Sequence, residues 1–176
     1  MPVGLAATVV LGYLPYLSVG AGVLGFLPGY LQEEDFKSGK RFFPLEVMRL
    51  LVPFPTRVYL LLTVLILGLL ALRLIYKKLT EEEQLLGSQR LIGTVLLLVT
   101  PHYPWYSLWL IPFLCLQPVA AWLYLASASP LLYFTWYRGI SELLLGCFQY
   151  LPVYALLIRR VTSQKLKVLD KVVRKF

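Results

Sequence analysis

The chain has 176 residues, 59% of them hydrophobic and only 15% charged, with a mean hydropathy of +0.71. Soluble domains run nearer about 45–50% apolar and about 25% charged, so this composition excludes an ordinary water-soluble globule. The formal net charge of +8 does not suggest nucleic acid, because seven of the seventeen Lys and Arg residues crowd into positions 159–175, directly behind the last apolar run; a cytoplasmic tail has this appearance under the positive-inside rule.

In chain order, apolar runs predict membrane spans over about 3–27, 57–76, 86–100, 104–117, 119–137 and 141–158, several of them near the roughly 20 residues that a spanning helix needs. Backbone in lipid must satisfy its own hydrogen bonds, so each run reads as a helix. The expected fold is all-α, a polytopic transmembrane bundle of about six spans over 1–158 with a basic tail over 159–176. The first run lacks the basic flank of a signal peptide and stays apolar past a cleavage zone, so it counts as a span. Gly25 and Gly29 have the spacing of a helix-packing pair, yet Pro28 between them favours a broken helix end.

Positions 32–57 form a polar connection carrying Lys37, Lys40, Arg41, Arg49 and Arg57 against Glu33, Glu34, Asp35 and Glu46. It reads either as a charge-balanced loop or as a set of cations kept for an anionic ligand such as a lipid phosphate. Within it Pro44 opens a short helix that Pro53 and Pro55 end, apolar nearly all round, as an interfacial helix would be.

The run at 86–100 is short for a span unless its helix begins near Gln84, and 104–117 rises only about 20 Å. Short spans suit a polar cavity cutting into the outer leaflet. The connection between these two, Thr100-Pro101-His102-Tyr103-Pro104-Trp105-Tyr106-Ser107, holds the only histidine. An aromatic belt accounts for the Tyr and Trp residues. His102 is left either to donate to a phosphate or sugar hydroxyl or to cap the preceding helix. A lone histidine makes no zinc site, so neither a metal nor a cofactor is expected. Cys115 and Cys147 lie inside apolar runs and read as small buried hydrophobes. Positions 126–129 are all small and suit close helix packing. In the tail, Leu166, Leu169, Val173 and Phe176 recur at helical spacing opposite lysines, as in a basic amphipathic helix on an anionic leaflet, or simply a solvated tail.

The passage 100–124, TPHYPWYSLWLIPFLCLQPVAAWLY, resembles the segment near the C-terminal end of bacterial polytopic glycosyltransferases of the GT-C superfamily. The likeness is to the mannosyltransferase-like group that uses polyprenyl-phosphate sugars, where a His-Pro-Trp-Tyr turn leads into a span, an inner turn with proline and a span opening on Ala-Trp. The stretch from Leu14-Pro15-Tyr16 to Phe42-Phe43 is similar to that group's proline-ended span and outer amphipathic segment. Here the turn reads His102-Tyr103-Pro104-Trp105, with one residue inserted before the proline. The resemblance implies a hexosyltransferase module corresponding to the C-terminal portion of such an enzyme, without the family's upstream carboxylate loop and completed by an upstream partner chain.

Transfer of sugar from a lipid-linked phosphate needs a carboxylate to take the acceptor proton, and cations or hydrogen-bond donors to stabilise the leaving phosphate. Glu34 or Asp35 is the candidate for the first. Lys37, Lys40, Arg41, Arg138 and His102, with Tyr103, Trp105 and Tyr106 beside it, are candidates for binding the polyprenyl-phosphate-linked sugar. The competing reading is a non-catalytic membrane protein that binds or moves polyprenyl lipids or scaffolds partners. Membrane lipid is the other expected partner, and nucleic acid is not one.

With the tail inside, both termini are cytoplasmic, positions 77–90 and the Gln117-Pro118 turn face in, and 32–57, His102, Arg138 and Glu142 face out. Single cysteines replacing Ser38 and His102, in a chain without Cys115 and Cys147, should therefore react with an impermeant thiol reagent on intact cells, and one replacing Ser163 should not. Labelling at 163 but not at 38 would invert this topology.

Overall fold

The computed structural model describes residues 2–25, 27–33, 36–134 and 141–173. Every regular element among them is helical, with no strand. The chain divides into two compact units, Met1–Lys37 and Ser38–Phe176. Glu34, Asp35 and Arg138 lie outside the described residues, and so do the side chains that would form the apolar face of the tail.

The first unit opens with α1, Pro2–Tyr13, followed by a 3-10 stretch over Leu14–Leu24 and then α2, Leu27–Glu33. The run predicted as one span is thus in pieces. Gly20, at φ 58°, kinks the 3-10 stretch in a region that residues with a Cβ avoid. The helix stops again at Gly25, which agrees with the break expected from the Gly25-Pro28-Gly29 spacing.

The second unit begins with a connection that one arginine ties together. α3, Phe43–Arg49, starts at the predicted proline and carries Arg49 on its last turn. From there Arg49 donates to Glu46 Oε1 at 2.9 Å, to the Ser38 carbonyl at 3.1 Å, to the Phe54 carbonyl at 3.2 Å and to Thr56 Oγ1 at 2.7 Å. A guanidinium presents five donors in a fixed fork, so one side chain closes the loop on both sides of α3. Arg49, a cation of the polar connection, is therefore occupied by the fold itself.

α4, Thr56–Tyr76, is 21 residues long and spans about 31 Å at ~1.5 Å per residue. Most of its leucines and isoleucines face outward, and Tyr59 and Thr63 are its buried residues. Its contacts run along α5, Glu81–Val99, where the Tyr59 hydroxyl donates to the Leu98 carbonyl at 2.6 Å. α5 starts earlier than the hydropathy suggests. Thr80 caps it, accepting from the Glu83 N–H at 3.3 Å while the Glu83 carboxylate accepts from the Thr80 N–H at 3.0 Å. This Thr-x-x-Glu box satisfies two end amides at once and lengthens the short predicted span to 19 residues.

Proline shapes the segment from Pro104 to Leu132. A 3-10 helix over Pro104–Leu110 passes into α6, Ile111–Leu116, and after the Gln117-Pro118 turn α7, Ala120–Ala128, passes into a second 3-10 stretch, Ser129–Leu132. Pro104, Pro112 and Pro130 each sit at the start of their piece, where a missing N–H costs nothing. The small residues at 126–129 act as predicted: the Ser107 hydroxyl donates to Ser129 Oγ at 2.9 Å, and Ser129 donates to the Ala126 carbonyl at 2.8 Å. Cys147 is half-buried, but Cys115 faces outward from α6, a correction to its expected burial.

The last helix, α8, Glu142–Val173, runs past the predicted span without interruption for 32 residues. It packs most extensively on α7. Pro152 inside it has no N–H for the Phe148 carbonyl four residues back. The Tyr124 hydroxyl of α7 donates to that carbonyl at 2.7 Å instead. The core lies between α5, α7 and α8, with Leu96, Leu97, Trp122, Leu125, Tyr150 and Val153 all buried. Gly93 is required there, since a Cβ would stand 2.6 Å from the Trp122 ring. Among the described residues two helices, Thr56–Tyr76 and the Glu142–Ser163 part of α8, are long and apolar enough to cross a membrane.

Thr100 ends α5 in the left-handed region, at φ 42°. Its hydroxyl donates to the Arg41 carbonyl at 2.7 Å and accepts from the Phe43 N–H at 3.1 Å, and all three groups are buried. Thr100→Val keeps the shape and strips both bonds, which should cost about 2–4 kcal/mol from two unpaired buried backbone groups. Thr100→Ser should recover most of it. Equal thermal stability of the Val variant and the parent in detergent would refute this role.

Candidate functional site

Where the start of α8 faces the Lys40 to Phe43 turn and the end of α5, a cavity of about 250 Å³ opens. Three elements build it. The turn supplies Lys40 and Arg41, the α5 end supplies Thr100, Pro101 and His102, and α8 supplies Glu142, Gly146 and Tyr150. The Thr100 bonds set the first two elements against each other, and the Arg41 Nη2 donates back to the Thr100 carbonyl at 3.3 Å. Arg41 is only 6% exposed, and its guanidinium lies 5.7 Å over the Phe42 ring. Its charge therefore acts from within the wall. Lys40, in contrast, is exposed and reaches water.

His102 Nε2 stands 3.8 Å from the Glu142 carboxylate, a pair that is ionic when the imidazole is protonated. Glu142 lies in the first turn of α8, where a negative charge is favoured by the aligned peptide dipoles. Glu46 also lines the cavity but is held by Arg49. The far wall is apolar, with Phe43 and Tyr150 packed ring to ring at 5.2 Å and Leu132 and Leu143 beside them. Gly146 leaves room for this packing, since a Cβ there would meet the Phe43 ring at 2.5 Å. The result is a half-open pocket, cationic on one side, apolar on the other, lined by two carboxylates of which Glu46 is paired with Arg49.

Of the residues proposed from sequence, Lys40, Arg41 and His102 converge on this cavity. Tyr103, Trp105 and Tyr106 form an aromatic group next to it. Tyr103 stacks on Trp105 with centroids 4.2 Å apart and planes at 13°, while Tyr106 meets Trp109 edge-on at 5.2 Å. Trp105 and Trp109 are about half exposed and face outward, as a belt would. At the end of α5 the Thr100 N–H bonds the Leu96 carbonyl, and His102 stands beside Glu142. Lys37 belongs to the first unit.

Sequence reasoning missed Thr100 as the organiser and Glu142 as the partner of His102. A threonine just before a proline at a helix end was the available sign of the first, because proline disfavours right-handed helix in the residue before it. Placement of Glu142 on the same face as His102 was the sign of the second. The chain matches no protein-family model, no curated protein and no solved structure.

Proposed function

We propose that the chain is a multi-pass membrane protein of about six spans, in a bacterial inner membrane with both termini cytoplasmic. On its outer face, the cavity beside His102 takes the phosphate of a polyprenyl-phosphate-linked sugar. The chain is then the membrane module of a GT-C-like hexosyltransferase. One observation carries this reading: the neighbouring Lys40 and Arg41 and the distant His102 line one cavity with a carboxylate, Glu142, among them. Cations and an imidazole suit a phosphate that gains negative charge as the sugar leaves. The apolar wall suits the prenyl chain.

In the reaction the bond from the anomeric carbon to the phosphate oxygen breaks and one to an acceptor hydroxyl oxygen forms, and the acceptor proton passes to a carboxylate. Of the two carboxylates lining the cavity, Glu46 is paired with Arg49, which leaves Glu142 for that role. Glu34 and Asp35 remain the candidates from sequence.

The test separates binding from turnover. Purified chain in lipid nanodiscs should bind a polyprenyl-phosphate sugar in preference to the unphosphorylated polyprenol. Lys40→Gln and His102→Ala should each weaken binding by roughly tenfold or more, the worth of one charge-assisted hydrogen bond. Glu142→Gln should leave binding in place and abolish any sugar transfer. Equal affinity for the phosphorylated and unphosphorylated lipid would overturn the reading. Phosphate-dependent binding with no transfer, with or without a partner chain, would favour the non-catalytic lipid-binding alternative.

A further inference from the structure

A second cavity, of about 240 Å³, lies between the end of α4 and the start of α5. These helices run antiparallel. The Tyr59 to Leu98 bond marks the end nearest the His102 cavity, and Leu74 packed at Gly87 marks the other. Three cations line this far cavity, Arg73 and Lys77 from α4 and its exit, and Arg90 from α5. None of the three makes a salt bridge to a described residue. The one carboxylate lining the cavity, Glu83, is engaged by the Thr80 cap, accepting from its N–H at 3.0 Å and its hydroxyl at 3.2 Å. Both bonds hold the Glu83 carboxyl below its usual range.

Three positive groups around one negative group leave a cationic pocket. Its remaining walls are Leu70, Leu74, Leu79, Leu86 and Gly87. Just outside, Leu69, Leu72 and Ile75 of α4 point outward and continue the apolar surface along the helix. A free phosphate ion would find the charges but have no use for that wall. A phospholipid uses both, with its phosphate between the arginines and its acyl chains along α4. Arg159 and Arg160, beside the turn that precedes α7, mark the same end of the unit as basic.

The geometry points to an anionic phospholipid site here, with the headgroup phosphate held by Arg73, Lys77 and Arg90. The inference rests on the membrane reading alone and is independent of any sugar transfer.

Native mass spectrometry tests it. The full chain, released from micelles holding equal phosphatidylglycerol and phosphatidylcholine, should retain phosphatidylglycerol in clear excess. Arg73→Gln with Arg90→Gln should lower that ratio by roughly ten- to thirtyfold, as expected for two headgroup-facing cations. Arg57→Gln, at the other end of α4, should leave it unchanged. Since the basic tail is present in every variant, its contribution cancels. An unchanged ratio in the double variant would overturn the site, and displacement of the lipid by millimolar inorganic phosphate would overturn its assignment to lipid. Should the double variant fail to elute as a single species, the single variants Arg73→Gln and Arg90→Gln decide against the parent: a several-fold fall in the ratio in each upholds the charged contact, and an unchanged ratio in both overturns it.

Discussion

A single hydroxyl joins two of the three parts of the second unit from which the His102 cavity is made. Thr100 accepts from the Phe43 N–H and donates to the Arg41 carbonyl, and in doing so binds residues 57 and 59 positions apart. Its own backbone is left-handed, a conformation that costs a threonine about 1–3 kcal/mol and persists only when its surroundings insist. Pro101 disfavours continuation of the right-handed helix at Thr100, and the buried hydroxyl bonds to Arg41 and Phe43 hold the residue where it is. Once Thr100 is set, Arg41 is drawn into the wall, Phe43 is turned to Tyr150 and His102 leaves the helix end toward Glu142. Much of the chemistry of the site follows from one strained residue.

The same economy recurs at the helix ends. Gln89, almost wholly buried, donates to the carbonyl of Gln117, where α6 stops short of Pro118. Ser107 and Ser129 tie the two 3-10 pieces to each other. The Gln89 bond deals with a backbone carbonyl that a helix terminus has orphaned, and the serine pair satisfies two hydroxyls in the buried contact between the pieces. The chain has polar side chains in its core because its short, proline-broken helices leave more backbone groups to satisfy than long straight helices would.

The helical class and the positions of most turns were legible from hydropathy and proline alone, and α4 matches its predicted bounds within a residue. Less legible was how a run would be divided. Positions 104–117 and 119–137 look like spans by composition, yet proline at the head of each piece turns parts of them into 3-10 helix. α5 begins at Glu81 because an end box outweighs three acidic residues that lower its hydropathy. Within the site, Lys40, Arg41 and His102 could be named because charge and histidine stand out in an apolar sequence. Arg49, a cation of the same polar connection as Arg41, is held by the carbonyls within reach of its fork, which depends on a loop path that no pattern of residue types encodes. The sequence put Glu142 on the same face as His102, but their pairing needed the start of α8 to lie beside the α5 end.

The contact between Tyr124 and the Phe148 carbonyl has a mechanical consequence. Along most of α8 every carbonyl is already taken by the helix, so a neighbour could slide past by one residue without meeting a different surface of acceptors. Pro152 leaves one vacancy in that row, and Tyr124 fills it. A shift of α8 by one position against α7 would set Tyr124 opposite an occupied carbonyl and leave Phe148 bare. The pair therefore works as a registration pin, fixing how far along α7 the last helix sits and with it the height at which Glu142 meets His102.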